Sequence, residues 1–195
     1  MTSKLQRLIV AISGASGVIY GIRLLETLRQ ASAVETHLVL TESSKITITQ
    51  ETEWRISDVE ALADVIHKAN NIGASIASGS FVTMGMVVAP CSIKSLSNIA
   101  HSNASDLLAR AADVQLKEGR PLLLVVRETP LHLGHLRLMV QAAEIGATII
   151  PPVPGFYGRP QTVDDIVNDT VGRILLRLGI DNDLYFEWLG LKGKS

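Results

Sequence analysis

The chain has one cysteine, no excess of either charge and no long apolar run. Each absence excludes something. With Cys91 alone there is no intrachain disulfide framework and no cysteine-based zinc site. The 18 basic and 19 acidic residues nearly cancel, which argues against a strongly basic nucleic-acid binder and against an acidic disordered tail. No stretch approaches the roughly 20 apolar residues of a membrane span. The first apolar segment, Arg7 to Ile12, ends in Ser13-Gly14 without a small-residue cleavage site, so it does not read as a secretory leader. The expected location is cytoplasmic, and the sequons at Asn103 and Asn168 are then chance matches. Aromatic residues are scarce at 4%.

What remains is 195 residues, 47% of them hydrophobic and only 19% charged. That is enough chain to bury roughly 70% of its unfolded surface without disulfide or metal. It predicts a single domain over residues 1–195, with a core over about 6–180 and a tail over 181–195. The apolar content is high for a monomer of this size and points to an oligomer.

Apolar runs at Leu8–Ile12, Thr36–Leu40, Met84–Ala89, Leu122–Val126 and Ala147–Ile150 predict buried parallel strands, the third ended by Pro90. Helices are predicted over Val18–Gln30, Glu42–Gln50, Ser57–Ala63 (capped by Ser57), Ser92–Ala100, Ser105–Glu118 (capped at Ser105 or Asp106), His132–Ile145 and Val163–Leu178. On the sixth, Leu136, Met139, Val140 and Ala143 share one face. On the last, Val163, Ile166, Val167, Val171, Ile174, Leu175 and Leu178 form a stripe. The small-residue stretch His67–Ser80 is left unplaced. Strands apolar on both faces, alternating with helices, predict an α/β doubly wound parallel sheet. Ligands of such sheets sit beyond the carboxyl ends of the strands, so the informative residues follow each strand.

After the first strand comes Ser13-Gly14-Ala15-Ser16-Gly17, a small-residue turn that opens a helix and suits an anion. Its glycines do not fit the dinucleotide fingerprint, and no phosphate-loop lysine follows. Tight packing is the alternative use. After the third predicted strand comes Pro90-Cys91-Ser92-Ile93-Lys94-Ser95, with two hydroxyls and a lysine at a helix start. Ordinary capping by Ser92 is the alternative, and Cys91 reads as a small buried thiol. Arg127-Glu128-Thr129-Pro130 follows the fourth strand, where an Arg127–Glu128 ion pair would be purely structural. The rigid loop Pro151–Pro160 presents Phe156, Tyr157 and Arg159. Arg173 stands four residues after Asp169, the spacing of a helical ion pair. His132 and His135 share a helix face but lack further ligands for a metal.

Together these segments closely resemble the flavin prenyltransferase family, the UbiX-like proteins. The resemblance lies in Ile12–Gly17, Glu51-Thr52, Ala77-Ser78-Gly79-Ser80-Phe81, Pro90–Leu96, Arg110-Ala111-Ala112-Asp113-Val114, Leu116-Lys117-Glu118, Arg127–Leu131 and Pro151–Tyr157. They keep one register from residue 7 to about 190.

The resemblance implies a flavodoxin-like Rossmann three-layer fold and transfer of a dimethylallyl group from dimethylallyl monophosphate to N5 and C6 of reduced FMN. Phosphate leaves, and the prenylated FMN serves a UbiD-type decarboxylase, including the one of ubiquinone biosynthesis. It implies a homo-oligomer, commonly a dodecamer, with sites between subunits and no metal. It assigns FMN contacts to Gly14, Ala15, Ser16, Thr41, Ser92, Ile93, Lys94, Ser95 and Arg127. It assigns the prenyl-phosphate site to Lys117, Arg127, Glu128, Tyr157 and Arg173, with Arg110 nearby, and places Ser16 and Glu51 near the reacting edge. Ser16, Glu51, Lys117 and Glu128 are the expected catalytic groups. Glu128 either holds a lysine or handles a phosphate proton; Glu51 or released phosphate accepts the C6 proton. Thr41 replaces the family's frequent Ser, Gly119 stands where relatives often carry a second basic residue, and the tail matches least well apart from Trp188. Two other readings stay open: an FMN-dependent decarboxylase of an aromatic acid or a cysteinyl peptide, and a non-catalytic FMN carrier.

Overall fold

The computed structural model describes residues 6–31 and 34–190. The start of the N-terminal segment (1–5), residues 32–33 and the end of the tail (191–195) lie outside the described residues. The chain divides into two compact units, Met1–Pro152 and Val153–Ser195.

The first unit contains strands β1 (Gln6–Ile12), β2 (Val34–Leu40), β3 (Val65–Lys68), β4 (Gly85–Cys91), β5 (Leu122–Val126) and β6 (Thr148–Ile149). Its helices are α1 (Ile19–Ala31), α2 (Glu42–Glu51), α3 (Ile56–Glu60), α4 (Ile93–Ala100), α5 (Leu107–Lys117) and α6 (Leu133–Glu144). The strands form one sheet in the order β3-β2-β1-β4-β5-β6, with every pairing parallel. Set aside the four-residue edge strand β3, and the order is that of a flavodoxin-like doubly wound sheet, as the sequence predicts. The order reverses between β1 and β4, so the crevice for a ligand opens beyond their carboxyl ends.

The sheet forms because its central strands are apolar on both faces. Leu8 to Ile12 and Met86 to Ala89 are fully buried, and each such Val, Leu or Ile contributes about 1.5–3 kcal/mol. The core on one side joins Ile9, Met86, Val88 and Leu124 to Leu96, Leu108 and Ala112 of α4 and α5. Asp106 caps α5 by accepting from the Ala109 N–H, which settles the choice between Ser105 and Asp106.

The second unit holds a 3-10 turn (Phe156–Gly158) and helix α7 (Val163–Arg177). A capping box starts α7: the Thr162 hydroxyl accepts from the Asp165 N–H, and the Asp165 carboxylate accepts from the Thr162 N–H. The Gln161 N–H and the Thr162 N–H, both donating to it, hold the Asp165 carboxyl below its ordinary range. Val167, Val171, Ile174 and Leu175 are buried, whereas Val163 is exposed and falls outside the stripe.

Several expectations change. Pro90 does not end its strand; β4 runs on to Cys91. A proline has no N–H to donate, but the Pro90 carbonyl is used, accepting from the Ser13 N–H. The unplaced stretch begins inside β3. Arg55, not Ser57, precedes α3, and the Ser57 hydroxyl donates to Asp58. The largest change is on α6. Leu136, Val140 and Ala143 are exposed, and Ala142 is the one buried residue of that helix. The periodicity is real, but most of the predicted face points away from the chain's own core.

Candidate functional site

At the carboxyl end of β1 the Ser13 hydroxyl donates to the Pro90 carbonyl at 2.9 Å and accepts from the Ser92 N–H at 2.8 Å. It fastens the two strand ends that flank the crevice. The turn then requires Gly17, whose φ of 93° disfavours other residues. A Cβ on Gly14 would overlap the Ser43 side chain. The Gly17 N–H donates to Glu51 Oε2 at 2.8 Å, so the carboxylate at the end of α2 holds the start of α1. Ser16 is half-buried and makes no hydrogen bond among the described residues. Its hydroxyl is available to a ligand.

A cleft of about 900 Å³ opens beyond β2 and β4. Thr41, Ser43, Lys45, His67, Lys68, Ser92, Lys94 and Ser95 are among its lining residues. Thr41 caps α2, accepting from the Ser44 N–H, and Ser92 caps α4, accepting from the Ser95 N–H at 3.2 Å. Capping and lining are therefore the same residues' work, not alternatives. The N-termini of two helices meet at one space, and Lys68 and Lys94, without an ion-pair partner among the described residues, line it. That donor set suits an anion, and the volume suits a mononucleotide. Four of the expected FMN contacts, Thr41, Ser92, Lys94 and Ser95, meet here. Gly14, Ala15 and Ser16 lie on the neighbouring β1 turn, outside the cleft's lining.

Arg127 and Glu128 follow β5 at the same end of the sheet. The Arg127 N–H donates to the Cys91 carbonyl at 3.2 Å. Among the described residues the Arg127–Glu128 ion pair is not formed. Glu128 instead accepts from the Thr129 N–H at 3.0 Å, and the Arg127 guanidinium lies near Tyr20. Burial raises the Tyr20 phenol pKa, and Arg127 offsets part of that rise. Both Arg127 and Glu128 are exposed.

Arg110 and Lys117 are elsewhere. Helix α5 runs back along the sheet and delivers Lys117 to the amino end of β5. Lys117 Nζ donates to Glu118 Oε1 at 2.9 Å, a bond that is the chief cause of the lowered Glu118 pKa. Arg110 pairs with Asp113 at 2.9 Å and donates to the Ala77 carbonyl. Arg120 donates to the Phe81 carbonyl, so basic residues pin the small-residue loop there. From Leu122 to Val126 the β5 backbone spans about 13 Å at 3.3 Å per residue. Lys117 is thus separated from Arg127 and Glu128 by the height of the sheet, whereas Arg110 stands in the first turn of α5.

In the second unit the Tyr157 ring packs 5.8 Å from Phe186 and 5.7 Å from Trp188. The tail therefore supplies aromatic partners for the predicted tyrosine. Arg173 is exposed, and the Asp169–Arg173 pair does not form among the described residues. Asp169 accepts from the Phe186 N–H instead, at 3.1 Å. Cys91 is fully buried, and burial pushes its thiol up to about 12, so it is no nucleophile. Among the described residues no group of His, Cys, Asp and Glu could hold a metal ion, and no helix is long and apolar enough to cross a membrane.

Sequence reasoning missed the Ser13 clamp, Arg120, and the part of the cleft wall built by β3. Ser13 was visible inside the first glycine-rich turn. Its role depends on pairing with Pro90, which only the sheet register reveals.

Known proteins resemble this chain over nearly its whole length. The Flavoprotein family matches residues 1–175. The chain is 60% identical over 188 residues to the flavin prenyltransferase UbiX of Escherichia coli strain K12, covering 95% of this chain and all of that one. A crystal structure of AnUbiX (PadA1) in complex with FMN and dimethylallyl pyrophosphate superposes with a TM-score of 0.94 at 43% identity, covering 97% of this chain and 100% of the other. A dodecameric FMN-dependent UbiX-like decarboxylase from Escherichia coli O157:H7 superposes with a TM-score of 0.93 at 46% identity, covering 95% and 100%. The fold and the site define a flavoprotein. More narrowly, the chain belongs to the UbiX-type flavin prenyltransferases.

Proposed function

We propose that this chain joins the dimethylallyl group of dimethylallyl monophosphate to N5 and C6 of reduced FMN and releases phosphate. The observation that carries the reading is the cleft between the caps of α2 and α4, with Arg127 and Glu128 at the same end of the sheet. FMN fits this donor set. We assign its contacts to Gly14, Ala15, Ser16, Thr41, Ser92, Ile93, Lys94, Ser95 and Arg127. Reduced FMN supplies the nucleophilic ring positions, and the chain supplies geometry and charge. Loss of phosphate from an allylic ester builds negative charge on the leaving group. Fixed Lys and Arg donors stabilise that charge more than they stabilise the ester, and removal of one such donor commonly costs about 10²–10³ in rate. We assign this role to Lys117, Arg127, Arg110 and Arg173, with Tyr157 against the prenyl chain. Ser16 and Glu51 belong to the reacting edge.

Lys117 serves this site only from a second copy of the chain, because the length of β5 separates it from Arg127 and Glu128. The exposed apolar face of α6 supports such assembly, with Leu133, Leu136 and Val140 exposed at 60%, 45% and 56%. We infer a homo-oligomer, a dodecamer by analogy with the Escherichia coli O157:H7 protein. We infer also that residues 1–195 act as one flavoprotein domain in the cytoplasm, and that the product serves a UbiD-type decarboxylase in ubiquinone biosynthesis. Anaerobic incubation with reduced FMN and dimethylallyl monophosphate tests the reaction. It predicts free phosphate in step with loss of the FMN spectrum; unchanged flavin with no phosphate contradicts it.

A second reading, direct decarboxylation with FMN, follows from the likeness to the UbiX-like decarboxylase of Escherichia coli O157:H7. Carbon dioxide released from an aromatic acid by the purified protein alone would select it.

A further inference from the structure

Beside the cleft, the edge of the sheet carries an imidazole pair that the assignments above do not use. His37 on β2 is only 2% exposed. Its Nδ1 lies 2.9 Å from His67 Nε2 on β3, and the rings stack at 5.2 Å. Its other nitrogen, Nε2, lies 2.9 Å from Glu35 Oε1, and the same oxygen accepts from Arg7 Nε. The Arg7 guanidinium sits 4.5 Å from the centre of the Phe81 ring, which meets His37 edge-on. A hydrogen-bonded chain Arg7–Glu35–His37–His67 thus runs out to the cleft, where His67 shares the wall with Thr41, Ser92 and Lys94.

The proton positions follow from the donors available. The bond to His37 is the chief cause of the lowered Glu35 pKa, so Glu35 is an ionised acceptor. His37 Nε2 therefore carries the hydrogen, and in the neutral ring Nδ1 accepts. His67 Nε2 must then donate, which leaves a lone pair on His67 Nδ1. Of the two rings, only His67 has a nitrogen left to take another proton.

We propose that His67 is a further FMN-binding residue, which takes up one proton from solvent at Nδ1 when the phosphomonoester enters the cleft. The proposal rests on reading this cleft as the FMN site. Burial, the chief cause, holds the His67 pKa below its ordinary value, so the ring is neutral in the free protein near neutral pH. A phosphate dianion beside it favours the imidazolium and raises that pKa. The other charged groups of the wall are Glu42, Lys45, Glu60, Lys68, Lys94 and Asp106. Lys45 is paired with Glu42 at 2.8 Å, and Asp106 is engaged by the Ala109 N–H. Behind His67 stand His37, Glu35 and Arg7, while Asp64 is bonded to Thr36. Lys68 and Lys94 add to the anion field, Glu60 opposes it, and among the described residues none of the three is bonded to His67. Because the free-state pKa is lower than the bound one, FMN affinity rises as pH falls through the window between them.

Calorimetric titration of the oligomer at pH 7.5, in two buffers of different protonation enthalpy, counts the protons taken up. FMN and riboflavin are the probes, since they differ by the phosphate. The wild type takes up protons with FMN and none with riboflavin. His67→Gln still binds FMN, about tenfold more weakly, with the uptake gone. His67→Lys restores affinity without uptake, because its cation is permanent; this variant also separates lost charge from a damaged fold. Equal uptake by wild type and His67→Gln, or equal uptake with riboflavin, overturns the proposal. If the wild type binds neither flavin, the FMN reading of the cleft fails first and the proposal with it.

Discussion

Lys117 and Glu128 lie beyond opposite ends of β5 in the same chain. Lys117 closes the helix that precedes the strand and is paired with Glu118; Glu128 follows the strand's carboxyl end, bonded to the Thr129 N–H. If both act on one prenyl phosphate, they come from different copies. Lys117→Ala and Glu128→Gln should each lose about 10²-fold or more in rate. Assembled together from a denatured equal mixture, they should recover about a quarter of the wild-type sites, since each site draws its two residues independently. No recovery in mixed oligomers of confirmed composition would place both residues in one chain's site.

Glu51 separates a structural role from a chemical one. Its carboxylate accepts from the Gly17 N–H at the start of α1. Glu51→Ala should cost about 1 kcal/mol of stability, a few degrees in melting temperature for a chain of this size. Glu51→Gln keeps an acceptor and should melt near the wild type. If Glu51 also takes the C6 proton, the Gln variant should turn over at least tenfold more slowly while binding FMN normally. Calorimetry and single-turnover kinetics on both variants read these two effects apart.

The Cys91 thiol is raised by burial from its ordinary 9.0 to about 12. The sign follows from linkage: the folded state favours the neutral thiol, so this contribution is complete below pH 9. It is lost as pH rises from about 9 towards 12, where the unfolded chain's thiolate forms first. Three units correspond to roughly 4 kcal/mol at the upper limit. Denaturant midpoints between pH 8 and 11 should fall more steeply for the wild type than for Cys91→Ala. Equal slopes would show that the thiol ionises freely in the fold. Iodoacetamide should likewise leave the folded protein unlabelled at pH 8.

The face of α6 is the fourth test. Leu136→Asp with Val140→Asp places charge on residues already exposed in the isolated chain, so the monomer fold should survive. Light scattering should show a shift to smaller species, and activity should fall with assembly. A wild type that is monomeric and fully active would remove both the interface and the shared site.

The strands β1, β2, β4, β5 and β6 were legible because they carry runs of apolar residues that only a doubly covered parallel sheet accommodates. β3 was not. Val65 to Lys68 alternates half-buried and exposed positions at the sheet edge, so its hydrophobic signal is weak. With it went His67, and the relay behind it. Pro90 misled for a local reason: it forbids a donor, but β4 there needs an acceptor, which Ser13 uses. The Leu136–Val140 stripe on α6 was legible as one apolar face, but periodicity shows that a face is to be covered and not by which chain. Ser92 was legible as a cap from its position, and the convergence of Ser92 and Thr41 on one cleft required the sheet order. The separation of Lys117 from Glu128 is a matter of topology, invisible in their spacing of eleven positions along the sequence.

The central claim is tested most directly by mass spectrometry of the flavin after one anaerobic turnover with reduced FMN and dimethylallyl monophosphate. The account predicts a flavin heavier by one dimethylallyl unit less one net proton, two ring hydrogens being lost at N5 and C6 and one gained by the allyl double bond, formed in step with one phosphate per flavin. Flavin recovered as unmodified FMN, with the ester intact and the oligomer folded and FMN-bound, would contradict it.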